Sequence, residues 1–325
     1  MPTVGEVSEH SWTVDHRLSD DESNVHYDWS HERSPVLTVA SGAIVRFDCR
    51  DASNGQLGTD ATVDTLRSLT FDGHPLTGPV AIEGAKPGEV LEVELLEFED
   101  RGYGFTYFYE GKAGKGLLPE EFDEPGLHIW EIDDDVARFV DGIEVPVNPF
   151  PGCIGVAPRA DGTHSTTPPR RVGGNVDIKH LTAGSTVYLP IEAEDGLFSI
   201  GDCHAAQGDG EVCVTGIEAP MSVTARLTRR SDISVEGPQF ETTGPFTPSG
   251  VDEPMYATAG IDPDLMTASE KAIEHMIDHL HEERALSRSE AYILCSVAVD
   301  LKINEVVDAP NWVVSAYLPE SVFPA

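Results

Sequence analysis

From about Pro35 the pattern of apolar and polar residues is that of β-strands, in short runs whose side chains alternate with a period of two. The clearest case is Ser222-Val-Thr-Ala-Arg-Leu-Thr228, in which Val223, Ala225 and Leu227 share one face and polar residues occupy the other. The segment from Val90 to Leu96, after the turn Lys86-Pro-Gly88, and the segment from Ser185 to Pro190 predict two more strands. Val36–Val39 and Ile44–Phe47, separated by a Ser-Gly turn, predict a hairpin. Thirty glycines and 23 prolines punctuate these runs, as the many short strands of a sandwich require. Near the C-terminus the period changes to that of helices. Thr267-Ala-Ser-Glu270 and Ser287-Arg-Ser-Glu290 both match the capping box, in which a hydroxyl and a carboxylate satisfy the free N–H groups of a helix start. Ile273, Met276, Ile277 and Leu280 follow the first at helical spacing; Leu294, Ala298 and Leu301 follow the second. The pattern therefore predicts a mainly β protein, a β-sandwich-rich body with a C-terminal α-hairpin. The acidic stretch from Glu120 to Asp135, broken by Pro125-Gly126, is expected to be a surface insertion.

Charge narrows the partners. The 325 residues carry 57 acids against 21 bases, a net charge of −36. Such a surface repels a phosphate backbone, so neither nucleic acid nor an anionic membrane is an expected partner. Only six of the bases are lysines. Acids spread along folded-looking segments suit a surface that stays hydrated in concentrated salt, and predict a halophilic host. No run of eighteen apolar residues predicts a membrane span, and the polar, acidic N-terminus does not read as a secretory signal. The five cysteines lack the CxxC spacing of a zinc ribbon and are odd in number, which fits a reducing cytoplasm.

Two segments hold candidate chemistry. In Gly173-Gly-Asn-Val-Asp177 the paired glycines let backbone approach a ligand, and an extended strand would turn Asn175 and Asp177 to one side. In the run from Ser199 to Glu211, Asp202 and His204 are also two apart, and a carboxylate converging with an imidazole suits a zinc-type divalent ion. Gln207, Asp209 and Glu211 follow around Gly208 and Gly210, so a tight turn would fold them over the same place. Each has a plainer structural reading. Gly208-Asp-Gly210 matches a hairpin turn, Asp202 matches a loop cap, and most of the twelve histidines, including His275, His279 and His281, match packing roles. Cys203 alternates away from Asp202 and His204, toward the core.

At these residues the chain resembles the acetamidase/formamidase family, and the resemblance runs from about His26 to Phe323. It is carried by His26-Tyr-Asp-Trp29 leading to Pro35–Val39, the stretch from Phe47 to Gln56, His74-Pro-Leu-Thr-Gly-Pro79 and Glu83-Gly-Ala-Lys-Pro-Gly-Glu-Val-Leu91. Pro151-Gly-Cys-Ile-Gly-Val156, the two segments above, and the run from Glu290 to Asp300 complete it. The resemblance implies one catalytic domain over residues 26–325 after an N-terminal extension (1–25), a homo-oligomer, and hydrolysis of a small-molecule amide to carboxylate and ammonia. It also implies a divalent metal, Zn²⁺ by expectation, on Asp177, Asp202 and His204, with Glu211 as general base. Asn175, Gln207 and Asp209 match the remaining polar positions and are expected to bind or support substrate. Two departures stand out: Ala40-Ser-Gly-Ala43 replaces an expected Pro-Gly-Asp, and His74 stands where many relatives are expected to have asparagine, which bears on substrate choice. The competing expectations are a cysteine nucleophile with a lysine partner, for which the sequence offers only Cys295 near Lys302, a hydrolase of a different amide, and a non-catalytic sandwich that binds a small ligand.

Overall fold

A computed structural model of the protein describes residues 12–111, 116–133, 135–242, 255–306 and 310–324. The first eleven residues of the expected N-terminal extension lie outside them; His16–Leu18, further along it, pairs in parallel with the strand Ala43–Cys49.

Two six-stranded sheets form the body. One runs in the order His16–Leu18, Ala43–Cys49, Met221–Arg230, Val90–Asp100, Thr186–Pro190, Gln239–Glu241. The other runs Gly173–Asn175, Phe150–Gly155, Phe198–His204, Leu76–Ile82, Val25–His26, with Leu37–Val39 parallel to Leu76–Ile82. The two share one core: Phe47 of the first meets Phe198 of the second edge-to-face at 5.7 Å, and both rings are fully buried. Each such side chain contributes about 1.5–3 kcal/mol relative to exposure.

The alternation of Val223, Ala225 and Leu227 is confirmed, since all three are fully buried. Their polar neighbours are a correction. Ser222 and Thr224 are buried too, on a strand flanked by Ala43–Cys49 and Val90–Asp100; Ser222 Oγ donates to Asp48 Oδ1 at 2.5 Å. Arg226 and Arg229 of this strand and Arg46 of Ala43–Cys49 pair with Glu94 (2.7 Å), Glu89 (2.6 Å) and Glu99 (2.5 Å), so scarce arginines offset acids in and just before the strand Val90–Asp100. At the solvent-facing surface, where water screens the charges, such pairs add little to stability.

The hairpin expected over Val36–Phe47 does not form. Its arms enter different sheets, because Leu37–Val39 pairs with Leu76–Ile82 and Ala43–Cys49 with Met221–Arg230. The acidic stretch is also more than an insertion. Gly126–Asp133 is a strand of a four-stranded sheet, with Trp130 and Ile132 buried and Glu131 and Asp133 outside. The density of acids hid a period of two.

Among the described residues the α-helices are α1 (Val63–Arg67), α2 (Leu265–Arg284) and α3 (Arg288–Ala298). In α2, Ile273, Met276, Ile277 and Leu280 are all fully buried, as the spacing predicts. Its cap is three residues earlier than expected: Asp264 Oδ1 accepts the Thr267 N–H at 2.9 Å, so Thr267 lies within the helix. The Ser287/Glu290 box is formed, through bonds of 3.2 and 2.8 Å. Leu301, expected on α3, belongs instead to the strand Asp300–Glu305. His275 Nδ1 lies 3.0 Å from the Ala259 carbonyl and His279 stacks on Tyr256, so both serve packing.

Candidate active site

The strand Phe198–His204 is buried from end to end between Phe150–Gly155 and Leu76–Ile82. After it the chain turns back, and backbone bonds pair Cys203–Ala206 with Ile217–Ala219 (Ala205 N to Ile217 O 2.8 Å; Ala219 N to Cys203 O 2.9 Å). That pairing lays Glu218 directly opposite His204. His204 Nε2 lies 2.8 Å from Glu218 Oε1 and 3.2 Å from Glu211 Oε1, and the imidazole stacks on Phe150 at 4.9 Å. The Gly216 N–H donates to both carboxylates, at 3.0 Å to Glu211 and 3.1 Å to Glu218.

Asp177 follows the strand Gly173–Asn175, which pairs with Phe150–Gly155, and is held by its N–H to the Gly152 carbonyl (3.3 Å) and by Gln207 Nε2 on its own carbonyl (3.0 Å). Asp202 Oδ2 lies 3.6 Å from Cys153 Sγ and 3.9 Å from His74 Nε2, and Cys153 Sγ is 3.2 Å from Asn175 Oδ1. Regular alternation is not what brings the acids together. Asp177 (φ 45°), Asp202 (φ 54°) and Glu211 (φ 44°) all sit in left-handed backbone, and Val214, beside them, has φ 91°. Left-handed backbone disfavours side chains, most of all a β-branched one, and four such residues around one cleft mark a site whose surroundings enforce its shape.

The enforcing contacts come largely from the C-terminal elements. The Gly208 N–H donates to the Ser296 carbonyl of α3 (2.9 Å), the Leu301 N–H to the Asp209 carbonyl (3.0 Å), and Ser296 Oγ to the Thr215 carbonyl (2.8 Å). The buried Lys179 ammonium bonds Asp300 and lies 3.6 Å from Asp209, tying the segment after Asp177 to the turn before Glu211.

Asn175, Asp177, Asp202, Glu211, Glu218 and His74 line one cleft of 350 Å³. Gln207 and Asp209 are not among its lining residues; they brace it from behind through the bonds just given. Glu218 was not singled out by sequence reasoning. It lies in Gly216-Ile-Glu218, which has no metal-ligand spacing, and its only signal was the nearby glycine.

Burial governs the electrostatics. Desolvation pushes the Glu211 and Glu218 carboxyls up to about 7, and raises Asp177 well above the carboxylate range, with Glu211 adding to it. The His204 imidazole is pulled down by burial, but the Glu218 and Glu211 carboxylates outweigh it, and the net shift is well upward. The Cys153 thiol is raised well above its ordinary value by desolvation and then by Asp202, which keeps it protonated and a poor nucleophile.

This donor set fits a divalent cation. Asp177 Oδ1, His204 Nδ1 and Glu218 Oε2 are buried with no hydrogen-bond partner. Ligand atoms of Asp177, His204 and Glu211 all lie within 4.8 Å of one another, as do those of Asp202, His204 and Glu218. Four desolvated carboxylates around one imidazole call for positive charge, as protons or as a metal ion. Gly152 leaves the room: a Cβ there would stand 2.5 Å from His204 Cε1 and 2.6 Å from Asp177 Oδ1.

Comparison with known proteins decides the lineage. The acetamidase/formamidase family profile matches residues 12–165 and 159–325. The chain belongs to the acetamidase/formamidase family. Within that family it is 26% identical to the formamidase of Methylophilus methylotrophus, over 95% of this chain and 92% of the relative. It is also 26% identical to the acetamidase of Mycolicibacterium smegmatis, over 76% of each. Among solved structures, a gamma lactamase from Delftia acidovorans superposes with a TM-score of 0.87 at 26% identity, covering 95% of this chain and 94% of that one. An acetamidase from Bacillus halodurans gives 0.66 at 30% identity, covering 93% and 97%. The mainly β fold with its C-terminal helix pair is thus that of the acetamidase/formamidase family.

Proposed function

We propose that this amidohydrolase cleaves short linear carboxamides, of the formamide and acetamide type, to a carboxylate and ammonia. The observation that carries the reading is the convergence of Asp177, Asp202, Glu211 and Glu218 on His204 in one cleft, with three buried atoms left unpartnered. Asp177, Asp202 and His204 would hold the divalent cation, which we take to be Zn²⁺. When bound, the cation supplies Lewis acidity toward a water and the amide carbonyl.

The chain's own groups manage the protons. Glu211 takes a proton from the attacking water at its carboxylate as the C–O bond forms, and then returns it to the leaving nitrogen as the C–N bond breaks, so that ammonia and the carboxylate are released. A carboxyl near 7 suits both halves of that transfer. Glu218 holds the His204 ring in one orientation through Nε2. We assign Asn175 to binding the amide and His74 to substrate choice, and give Gln207 and Asp209 supporting roles.

The test is ammonia release from formamide and acetamide by the protein as isolated, after chelation, and after Zn²⁺ is restored. Activity lost and then regained supports the reading, and chelator-resistant activity removes the metal from it. Glu211→Gln should retain the metal and lose about 10²–10⁴ of kcat; near-normal turnover would end the proposed role of Glu211.

A second reading, a cyclic amide, draws support from the backbone likeness of 0.87 to the gamma lactamase. Opening a lactam ring releases no ammonia, so ring opening and ammonia release separate the two. We also propose a homo-oligomer, which the family resemblance implies, in a reducing cytoplasm, which five free and buried cysteines support.

A further inference from the structure

The cleft is two-sided in chemistry. Its carboxylates, Asn175, His74, Thr167 and Thr215 make the polar part. Beside them stands an apolar wall that includes Leu69, Phe71, Tyr107, Tyr109 and Val214. The wall has a structural origin. Along the strand Tyr103–Phe108 and the residue after it, Phe105, Tyr107 and Tyr109 share one face, because side chains two apart do so. Their rings form a column, Phe105 to Tyr107 at 6.1 Å and Tyr107 to Tyr109 at 5.3 Å. Phe105 anchors it, fully buried with Leu57 and Leu66. Leu69 and Phe71 come from the segment after α1, and the Phe71 ring packs edge-on to His74 at 5.0 Å while 43% of the residue remains exposed.

Acetamide is too small to use this wall. A volume of 350 Å³ is on the order of ten waters at about 30 Å³ each, whereas formamide and acetamide fill only two or three such places. The apolar wall would stay wet, and its desolvation would add nothing to binding. Charge limits the occupant as well: among the described residues lining the cleft there is no lysine or arginine, so a carboxylate carried on the acyl group, away from the metal ligands, would find no cationic side chain to pair with.

We infer that the preferred substrates are neutral primary amides whose acyl group is an aryl ring or branched alkyl chain seated on the Tyr107–Tyr109 wall. This rests on the amide-hydrolase reading of the same site and extends its acyl range beyond formamide and acetamide.

The unmodified, Zn²⁺-loaded protein is to be assayed for ammonia release from formamide, acetamide, isobutyramide, benzamide and 4-carbamoylbenzoate. The expected result is a kcat/KM for benzamide or isobutyramide at least about tenfold above that for acetamide, with 4-carbamoylbenzoate poorer than benzamide by about tenfold or more. Tyr109→Ala should lower the benzamide-to-acetamide ratio about tenfold, chiefly through KM, and Tyr109→Phe should restore it. Formamide or acetamide preferred, with benzamide inert, overturns the inference and leaves the hydrolase reading intact. No ammonia from any of the five, with the protein folded, overturns the hydrolase reading and the inference with it. The substrate series needs no variant, so it decides the matter even if Tyr109→Ala fails to fold.

Discussion

His204 Nε2 lies 2.8 Å from Glu218 Oε1, a pairing imposed by the backbone bridge that sets the two residues opposite each other. Glu218→Gln keeps the shape and removes one of four crowded carboxylates. We expect kcat to fall by about 10²-fold, because the imidazole loses its orienting charge. Thermal stability should be unchanged or higher, because a buried acid raised to about 7 is costly to ionise. Ammonia assays and a melting curve check this; wild-type turnover would show that Glu218 is packing only.

Gly152 keeps open the gap between His204 and Asp177. In Gly152→Ala the added methyl displaces both side chains, and a shift of about 1 Å at reacting groups costs about 10² in rate. Overpacking should also cost about 1–3 kcal/mol. Activity, bound metal per chain and the unfolding midpoint are the readouts. A folded variant with full metal and full activity would mean that the gap is unimportant.

His26 makes acid stability a local matter. Its Nδ1 donates to the Asp28 carbonyl (2.7 Å) and Nε2 lies 2.9 Å from Ser199 Oγ. Desolvation, with Arg33 adding to it, lowers the imidazole from 6.5 to about 4. The folded state therefore prefers the neutral ring. Its contribution is complete above pH 6.5, falls as the pH drops toward 4, and totals about 3 kcal/mol over that window. Denaturant midpoints from pH 7.5 to 4 should fall less steeply for His26→Gln than for the natural protein; parallel slopes would refute the assignment.

A net charge of −36 sets a salt dependence. Raising KCl from 0.1 to about 2 M shortens the Debye length from about 10 Å to below 3 Å and relieves repulsion among the acids. The melting temperature should rise by about 5 °C or more, although the surface Arg–Glu pairs weaken. A flat or falling curve would remove the argument for a halophilic host.

The legible parts of the site were those with local signatures. Paired glycines marked the approach at Gly173-Gly174, and the two-residue spacing drew attention to Asp202 and His204, although Asp202 reaches the cleft from left-handed backbone rather than from a regular strand. Glu218 was silent because its meaning lies in a backbone pairing with His204 that spacing does not encode. Gln207 and Asp209 read as cleft residues because they stand in the motif, yet their partners are the Asp177 carbonyl and the Lys179–Asp300 pair, contributed by other elements.

By itself, the sequence determined the mainly β body, the helical periods of α2 and α3, the acidic surface and the family, since these depend on residue type and near-neighbour spacing. Only the tertiary structure decided that Leu37–Val39 and Ala43–Cys49 part into two sheets, that Gly126–Asp133 is a strand, and that α3 braces the turn before Glu211. It also decided that an aromatic wall faces the carboxylates. Each of these rests on contacts between distant segments, whose free energy comes from burial and pairing in the folded chain rather than from any local preference.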